Sequence, residues 1–230
     1  MPLRAVTFDI YSALFDTISG LAAAVADVVR HRFSKEDPRT VAQTWRDKQA
    51  EYLLLSNSLE REPASNRAAI ETAARFALRQ FVPPLSRQET RSLLVVWERL
   101  PAWPETAEVL AVVRSKPLIL ATLSNGDEDM LRPLLGTLPV QFDHHISTQG
   151  ARFKPHRSIY ERTLQVLGVP AGDLLHVAGS GTDAMGATAA GIRTLWINRS
   201  GEPVLDPKYG PSYEGRNLKA VFRILETLGA

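Results

Sequence analysis

The sequence contains no cysteine among its 230 residues. That absence excludes disulfides, thiolate metal sites and cysteine nucleophiles, and it fits a reducing compartment. An excess of either charge is also missing: 27 Lys and Arg stand against 25 Asp and Glu, a formal net charge of +2. So even a balance leaves no electrostatic footprint for nucleic acid or a membrane surface, and neither is expected as a partner. Long apolar runs are absent as well. Leu118 to Leu123 is far shorter than the roughly 20 apolar residues that a bilayer-spanning helix needs. The chain opens on a strand-like pattern without a basic-then-apolar leader, so a cytoplasmic protein is expected. No internal repeat and no low-complexity segment stands out.

What is present suits a globular protein with a sizeable core. Hydrophobic residues make up 44% and charged residues 23% of the chain, a length for one large domain or a core with a smaller accessory one. Arg4 to Phe8 reads as a short strand. Leu21 to Phe33, Pro38 to Leu55, Asn66 to Phe81 and Ser86 to Leu100 then show the helical period, broken by Pro-containing stretches at 34–38 and 82–85. After Trp103-Pro104 strands and helices alternate. Strands are expected at Leu118–Asn125, Phe142–Thr148, Leu174–Ser180 and Thr194–Asn198. Helices are expected at Asp127–Leu135, Ser158–Leu167, Asp183–Ala190 and Leu218–Leu228. Strands separated by helices of this length imply an α/β fold with a parallel sheet, whose ligands sit at the carboxyl ends of the strands.

Polar residues collect at those ends. Asp9 closes VTFD, Ser124 and Asn125 close the strand of LSNG, and Asp183 follows the strand of LLHVAGSGTD; Lys154 stands in RFKPHRSIY. A carboxylate at the end of a buried strand is costly unless it is paired or used. A nucleophilic aspartate needs a cation to keep it ionised beside a second carboxylate, and small hydroxyls, amides and backbone N–H groups grip an anionic substrate.

In the order FDIYSALFD, helical insertion, LSNG, KP and a final Asp motif, the chain resembles the haloacid dehalogenase superfamily over nearly its whole length. Within it the chain looks most like the L-2-haloacid dehalogenases. Tyr11 stands where phosphatase branches carry a second aspartate, as in the dehalogenase pattern FDxYGTLFD. TWRDKQAEY resembles a dehalogenase Trp-Arg-x-Lys-Gln segment, and WINRSG resembles their strand end. The resemblance implies a Rossmann-like parallel-sheet core at 1–15 and 102–230 with an inserted helical cap domain at 16–101. It implies hydrolysis of small 2-haloalkanoic acids through an aspartyl ester. Asp9 would be the nucleophile and Arg46 would help expel the halide. Ser124 and Asn125 would bind the substrate carboxylate, Lys154 would offset negative charge, and Asp183 would position or deprotonate the water. Tyr11, Ser180 and Tyr160 join the substrate-binding set. No cofactor or metal is implied, because a halide leaves without a proton. The partner implied is a small haloacid, and a homodimer is left open.

Several residues depart from the family pattern. Ala13 lacks the threonine hydroxyl of GTLFD, while Ala178 and Ser180 stand where a serine and an asparagine are usual. Thr182 replaces a pocket aromatic. These changes keep two other readings open: a magnesium-dependent phosphatase of the same superfamily, using oxygens of Asp9, a backbone carbonyl and Asp183, or a catalytically weakened member. Plainer readings also stand beside the functional ones. Arg46 fits a solvated helix charge, Lys154 a loop lysine, Tyr11 strand packing, and Tyr160 either a support for Lys154 or a core aromatic. The glycines of 179–184 would shape the turn that presents Asp183. The five histidines show no metal-ligand spacing.

Overall fold

The computed structural model describes residues 2–31, 37–59, 65–80 and 85–230. The expected helix ends at Phe33 and Phe81 and most of the two Pro-containing breaks lie outside the described residues. The chain divides into two compact units. One comprises Met1–Phe15, Ala102–Asn125 and Leu138–Ala230; the other comprises Asp16–Pro101 and Gly126–Thr137.

The first unit is built on a six-stranded sheet, all of whose described pairings are parallel. Its strands are β1 (Ala5–Phe8), β2 (Ile119–Ser124), β3 (His144–Ser147), β4 (Leu174–Ala178), β5 (Arg193–Ile197) and β6 (Tyr213–Gly215), in the spatial order β3-β2-β1-β4-β5-β6. β1 and β4 are buried along their whole length, which is why they read as near-continuous apolar runs rather than alternating ones. The order steps outward from β1 to β3 and returns on the other side at β4. The strand ends of β1 and β4 therefore flank the place where the connections diverge, the usual ligand position in such sheets.

Helices α5 (Thr106–Arg114), α7 (Arg157–Leu167), α8 (Gly181–Ala189) and α9 (Ala220–Leu228) also belong to this unit. Two elements go beyond the sequence reading. The ETAEVLAVVR stretch is nearly continuous in apolar residues, so its period is ambiguous; as α5 it buries Val109, Leu110 and Val113. β6 is a three-residue edge strand with no apolar face to mark it.

The second unit holds α1 (Thr17–His31), α2 (Pro38–Ser58), α3 (Asn66–Arg79), α4 (Arg87–Leu94), a 3₁₀ turn at Val95–Glu98, and α6 (Glu128–Leu135). Its helix starts are chemically marked. Asp37 caps α2 with Pro38 in the first turn, Ser65 caps α3, and Ser86 with Glu89 forms a capping box on α4. Trp45 and Trp97 meet edge to face at the core of this unit, 5.9 Å between centroids, and the Trp45 indole N–H donates to the Ile70 carbonyl at 2.9 Å. α6 joins the unit through Asp127, whose two carboxylate oxygens accept the amides of Asn66 (3.0 Å) and Arg67 (2.9 Å) at the start of α3. A carboxylate there satisfies orphan donors and faces the positive end of the helix. Among the described residues no helix is long and apolar enough to cross a membrane.

Candidate active site

β1 ends at Phe8 and delivers Asp9, whose amide donates to the Val177 carbonyl of β4 at 2.9 Å. The turn after β3 delivers Lys154. Asn125 clamps the lysine backbone from the end of β2: its Nδ2 donates to the Lys154 carbonyl (3.1 Å) and its Oδ1 accepts the Lys154 amide (2.7 Å). The ammonium then reaches three oxygens, Asp9 Oδ1 (2.8 Å), Asp183 Oδ2 (2.7 Å) and the Leu123 carbonyl (2.8 Å). Its three donors therefore have three acceptors. All three charged side chains are buried, Asp9 at 6%, Lys154 at 5% and Asp183 at 4% exposure.

α8 positions Asp183 at its third residue, where the helix N-terminus favours an anion. Ser180 caps this helix by accepting the Asp183 amide at 3.3 Å. Asp183 Oδ1 accepts the Tyr160 hydroxyl at 2.7 Å, and Oδ2 accepts Lys154 and His176 Nε2, the latter at 3.0 Å. Burial alone would raise the Asp183 pKa, but Lys154 and then His176 outweigh it and hold the group well below the usual carboxylate range. Burial likewise opposes the charge on Lys154, yet the fields of Asp183 and Asp9 prevail and raise its pKa. Tyr160 is pushed well above its ordinary value by burial and by the Asp183 charge, so it stays a donor.

The geometry refines several expectations. Tyr160 is fully buried and donates its hydroxyl to Asp183, which makes it a support beneath that carboxylate. Asn125 uses both ends of its amide on Lys154, so its side chain positions the lysine. Ser180 serves as a helix cap. Ser124 is fully buried at the end of β2, and its hydroxyl has no hydrogen-bond partner among the described residues. Ala178 packs in an apolar cluster with Ala184, Trp196 and Val204, which explains why no hydroxyl stands there.

The loop after Asp9 is held by contacts that the sequence reading missed. Buried Tyr11 forms an isolated bridge with Phe15. Ser12 adopts φ +75°, the left-handed region that strains residues other than glycine, and the family pattern has glycine there. Its carbonyl accepts the Trp103 indole N–H at 3.1 Å. Arg199 stacks 3.8 Å above the Trp103 ring and donates to Glu105 at 2.7 Å. The glycine expected to shape the turn before Asp183 has another purpose. Gly179 has no positive φ; a Cβ there would lie 2.9 Å or less from atoms of Ser12 and Ala13, so its bareness admits the loop. His176 belongs to no metal-ligand spacing, so that pattern does not single it out in the sequence. The usable signal was one polar ring inside the apolar strand LLHVA, seven residues before Asp183.

Arg46 lies in the second unit on α2. Its guanidinium donates to Gln49, one turn on, and stands 5.9 Å from the Trp97 ring centroid. Gln49 is buried and donates in turn to Asn66 at 2.7 Å. Arg46 is thus one end of a polar chain through the helical unit rather than a solvated charge.

Residues 3–191 match the family described as haloacid dehalogenase-like hydrolase. The chain belongs to that family. It is 30% identical to the (S)-2-haloacid dehalogenase of Pseudomonas sp. (strain YL), an alignment covering 98% of this chain and 95% of that one. Among solved structures, one L-2-haloacid dehalogenase superposes with a TM-score of 0.89 at 29% identity, over 98% of this chain and 100% of the other. The L-2-haloacid dehalogenase from Xanthobacter autotrophicus, solved with chloropropionic acid covalently bound, gives a TM-score of 0.82 at 26% identity, over 97% and 98% of the two chains. The fold is accordingly the Rossmann-like core with an inserted cap of this dehalogenase family. Among the described residues no cluster of three or more His, Asp or Glu side chains is arranged to hold a metal ion.

Proposed function

We propose that the chain is a hydrolytic dehalogenase of small 2-haloalkanoic acids, working through an ester on Asp9. The observation that carries this reading is the single ammonium of Lys154 shared between the Asp9 and Asp183 carboxylates. It sets a cation against Asp9 at the end of the strand where a ligand binds, and an adjacent cation favours the ionised, nucleophilic form of a carboxylate. A carboxylate oxygen of Asp9 attacks C2 with inversion. The C–O bond forms as the carbon–halogen bond breaks, and the halide leaves with the bonding pair, assisted by Arg46. Ser124 and neighbouring backbone N–H groups hold the substrate carboxylate. Water held by Asp183 then adds to the Asp9 carbonyl, releasing the 2-hydroxy acid and a proton and regenerating Asp9. The halide needs no proton, so Tyr11 suffices where a phosphatase has its acid, and no step calls for a metal.

A halide-release screen over chloro-, bromo- and fluoro-substituted acids, with and without chelator, tests the reading. Release that a chelator leaves unchanged is expected. Silence with every acid, or aryl phosphatase activity that vanishes with chelator, would overturn it. A cytoplasmic location is proposed from the cysteine-free composition, for localisation by tagging to check. A homodimer is proposed from Leu54, Leu55 and Leu59 on and just after α2, which are 41%, 53% and 65% exposed, and sedimentation tests it.

A further inference from the structure

His176 is fully buried in the centre of β4, in register with Thr7 of β1. Both of its ring nitrogens are taken: Nδ1 lies 2.9 Å from the Thr7 hydroxyl and Nε2 lies 3.0 Å from Asp183 Oδ2. We infer that His176 is a positioning residue for the hydrolytic half of the reaction, fixing which oxygen of Asp183 is offered to water. This inference rests on the dehalogenase reading above.

An ionised carboxylate only accepts, so the nitrogen facing Asp183 carries a proton. In the neutral ring Nδ1 is then the acceptor, and the Thr7 hydroxyl donates to it. Thr7 thereby selects the tautomer, as a partner on the far nitrogen generally does. A carboxylate has about four acceptor positions on its two oxygens. On Asp183, Lys154 and His176 fill Oδ2, and Tyr160 fills one position on Oδ1. The position left is on Oδ1, so that is where a water can be held. Without His176, Oδ2 regains an open position and the carboxylate has two places to take a water, of which only one faces the ester. His176 places its two ring nitrogens on Thr7 and Asp183, so it acts on the water-holding carboxylate and the displacement step does not depend on it.

This division predicts a kinetic signature that a general loss of folding would not give. Halide release makes displacement the first irreversible step, so kcat/KM reports displacement, whereas kcat includes hydrolysis. His176→Phe is expected to lower kcat by about tenfold, the scale of one hydrogen bond to a charged group. KM should fall in parallel and kcat/KM stay within about twofold. The burst of halide, one per folded site, corrects for any inactive fraction. Thr7→Val, nearly isosteric, should shift kcat and KM the same way more weakly, and should add nothing on the His176→Phe background. Nitrogen chemical shifts of wild-type His176 should report the Nε2–H tautomer, and Thr7→Val should disturb it. A kcat/KM that falls with kcat, or additive losses in the double variant, would overturn the inference while leaving the dehalogenase reading intact. Wild-type protein that releases no halide would sink that reading, and this inference with it.

Discussion

A Cβ on Gly179 would stand 2.3 Å from the backbone nitrogen of Ala13. The end of β4 and the loop that follows Asp9 therefore share a space that no side chain can enter. Because the obstacle is backbone, it cannot be relieved by a rotamer change. Gly179→Ala is expected to cost about 1–3 kcal/mol, the usual range for overpacking. It should lower Tm by several degrees and displace the loop that carries Asp9, so that halide release falls even in the folded fraction. Calorimetry and halide assays on the same preparation check both effects.

Asp9→Asn should abolish halide release and leave the fold intact. The amide keeps the shape of the side chain and an oxygen that can accept from Lys154, but it cannot act as the attacking carboxylate. Circular dichroism should match wild type. Wild-type rates from a freshly purified variant, with deamidation excluded by mass, would end the proposal for Asp9.

Much of the architecture was legible because strands buried on both faces read as apolar runs, and because the polar residues at their ends had no local reason to be there. Asp9, Lys154 and Asp183 carried that signal in sequence, and the structure brings all three within hydrogen-bonding reach. What stayed hidden depends on where a side chain points. Tyr160 and His176 lie on different elements, and only the fold turns both toward one carboxylate. Ser180 looked like a substituted catalytic amide, but its position ahead of α8 makes it a helix cap. α6 follows the LSNG strand end like any crossover helix, and nothing local in its sequence announces that Asp127 caps α3. β6 is too short to show a period.

The charge cluster sets a direction for pH dependence. Asp183 has a lowered pKa in the folded protein, so it contributes stability above its ordinary value of 3.8, and that contribution is lost as pH falls further toward the folded value. Lys154 has a raised pKa, so its contribution is complete below 10.5 and is lost only as pH rises through the higher folded value. Between those limits neither Asp183 nor Lys154 should add a slope to stability. Urea unfolding at pH 7 and pH 3 should show a smaller loss for Asp183→Asn than for wild type.

The same lowered pKa bears on rate. A carboxylate held far below neutrality, chiefly by the charge of Lys154, is a weak base, and general-base catalysis works best with a pKa near the working pH. Hydrolysis is therefore expected to limit turnover, and a covalent adduct on Asp9 should accumulate. Rapid quenching followed by mass spectrometry would find it as added mass on the peptide containing Asp9. Steady halide release with no burst and no adduct would show that the weak base is not limiting.

One ammonium facing two carboxylates also governs how the product departs. While Asp9 is esterified, Lys154 is matched by Asp183 alone, and the neighbourhood tolerates the carboxylate of the bound acid. Hydrolysis restores the Asp9 anion next to a product that is itself an anion, with water largely excluded and little to screen the repulsion. In the proposed reaction this repulsion opposes retention of the 2-hydroxy acid, which is expected to be a poor competitive inhibitor in product-inhibition kinetics. Regenerating the nucleophile would then also favour ejecting the product, through the site's own electrostatics.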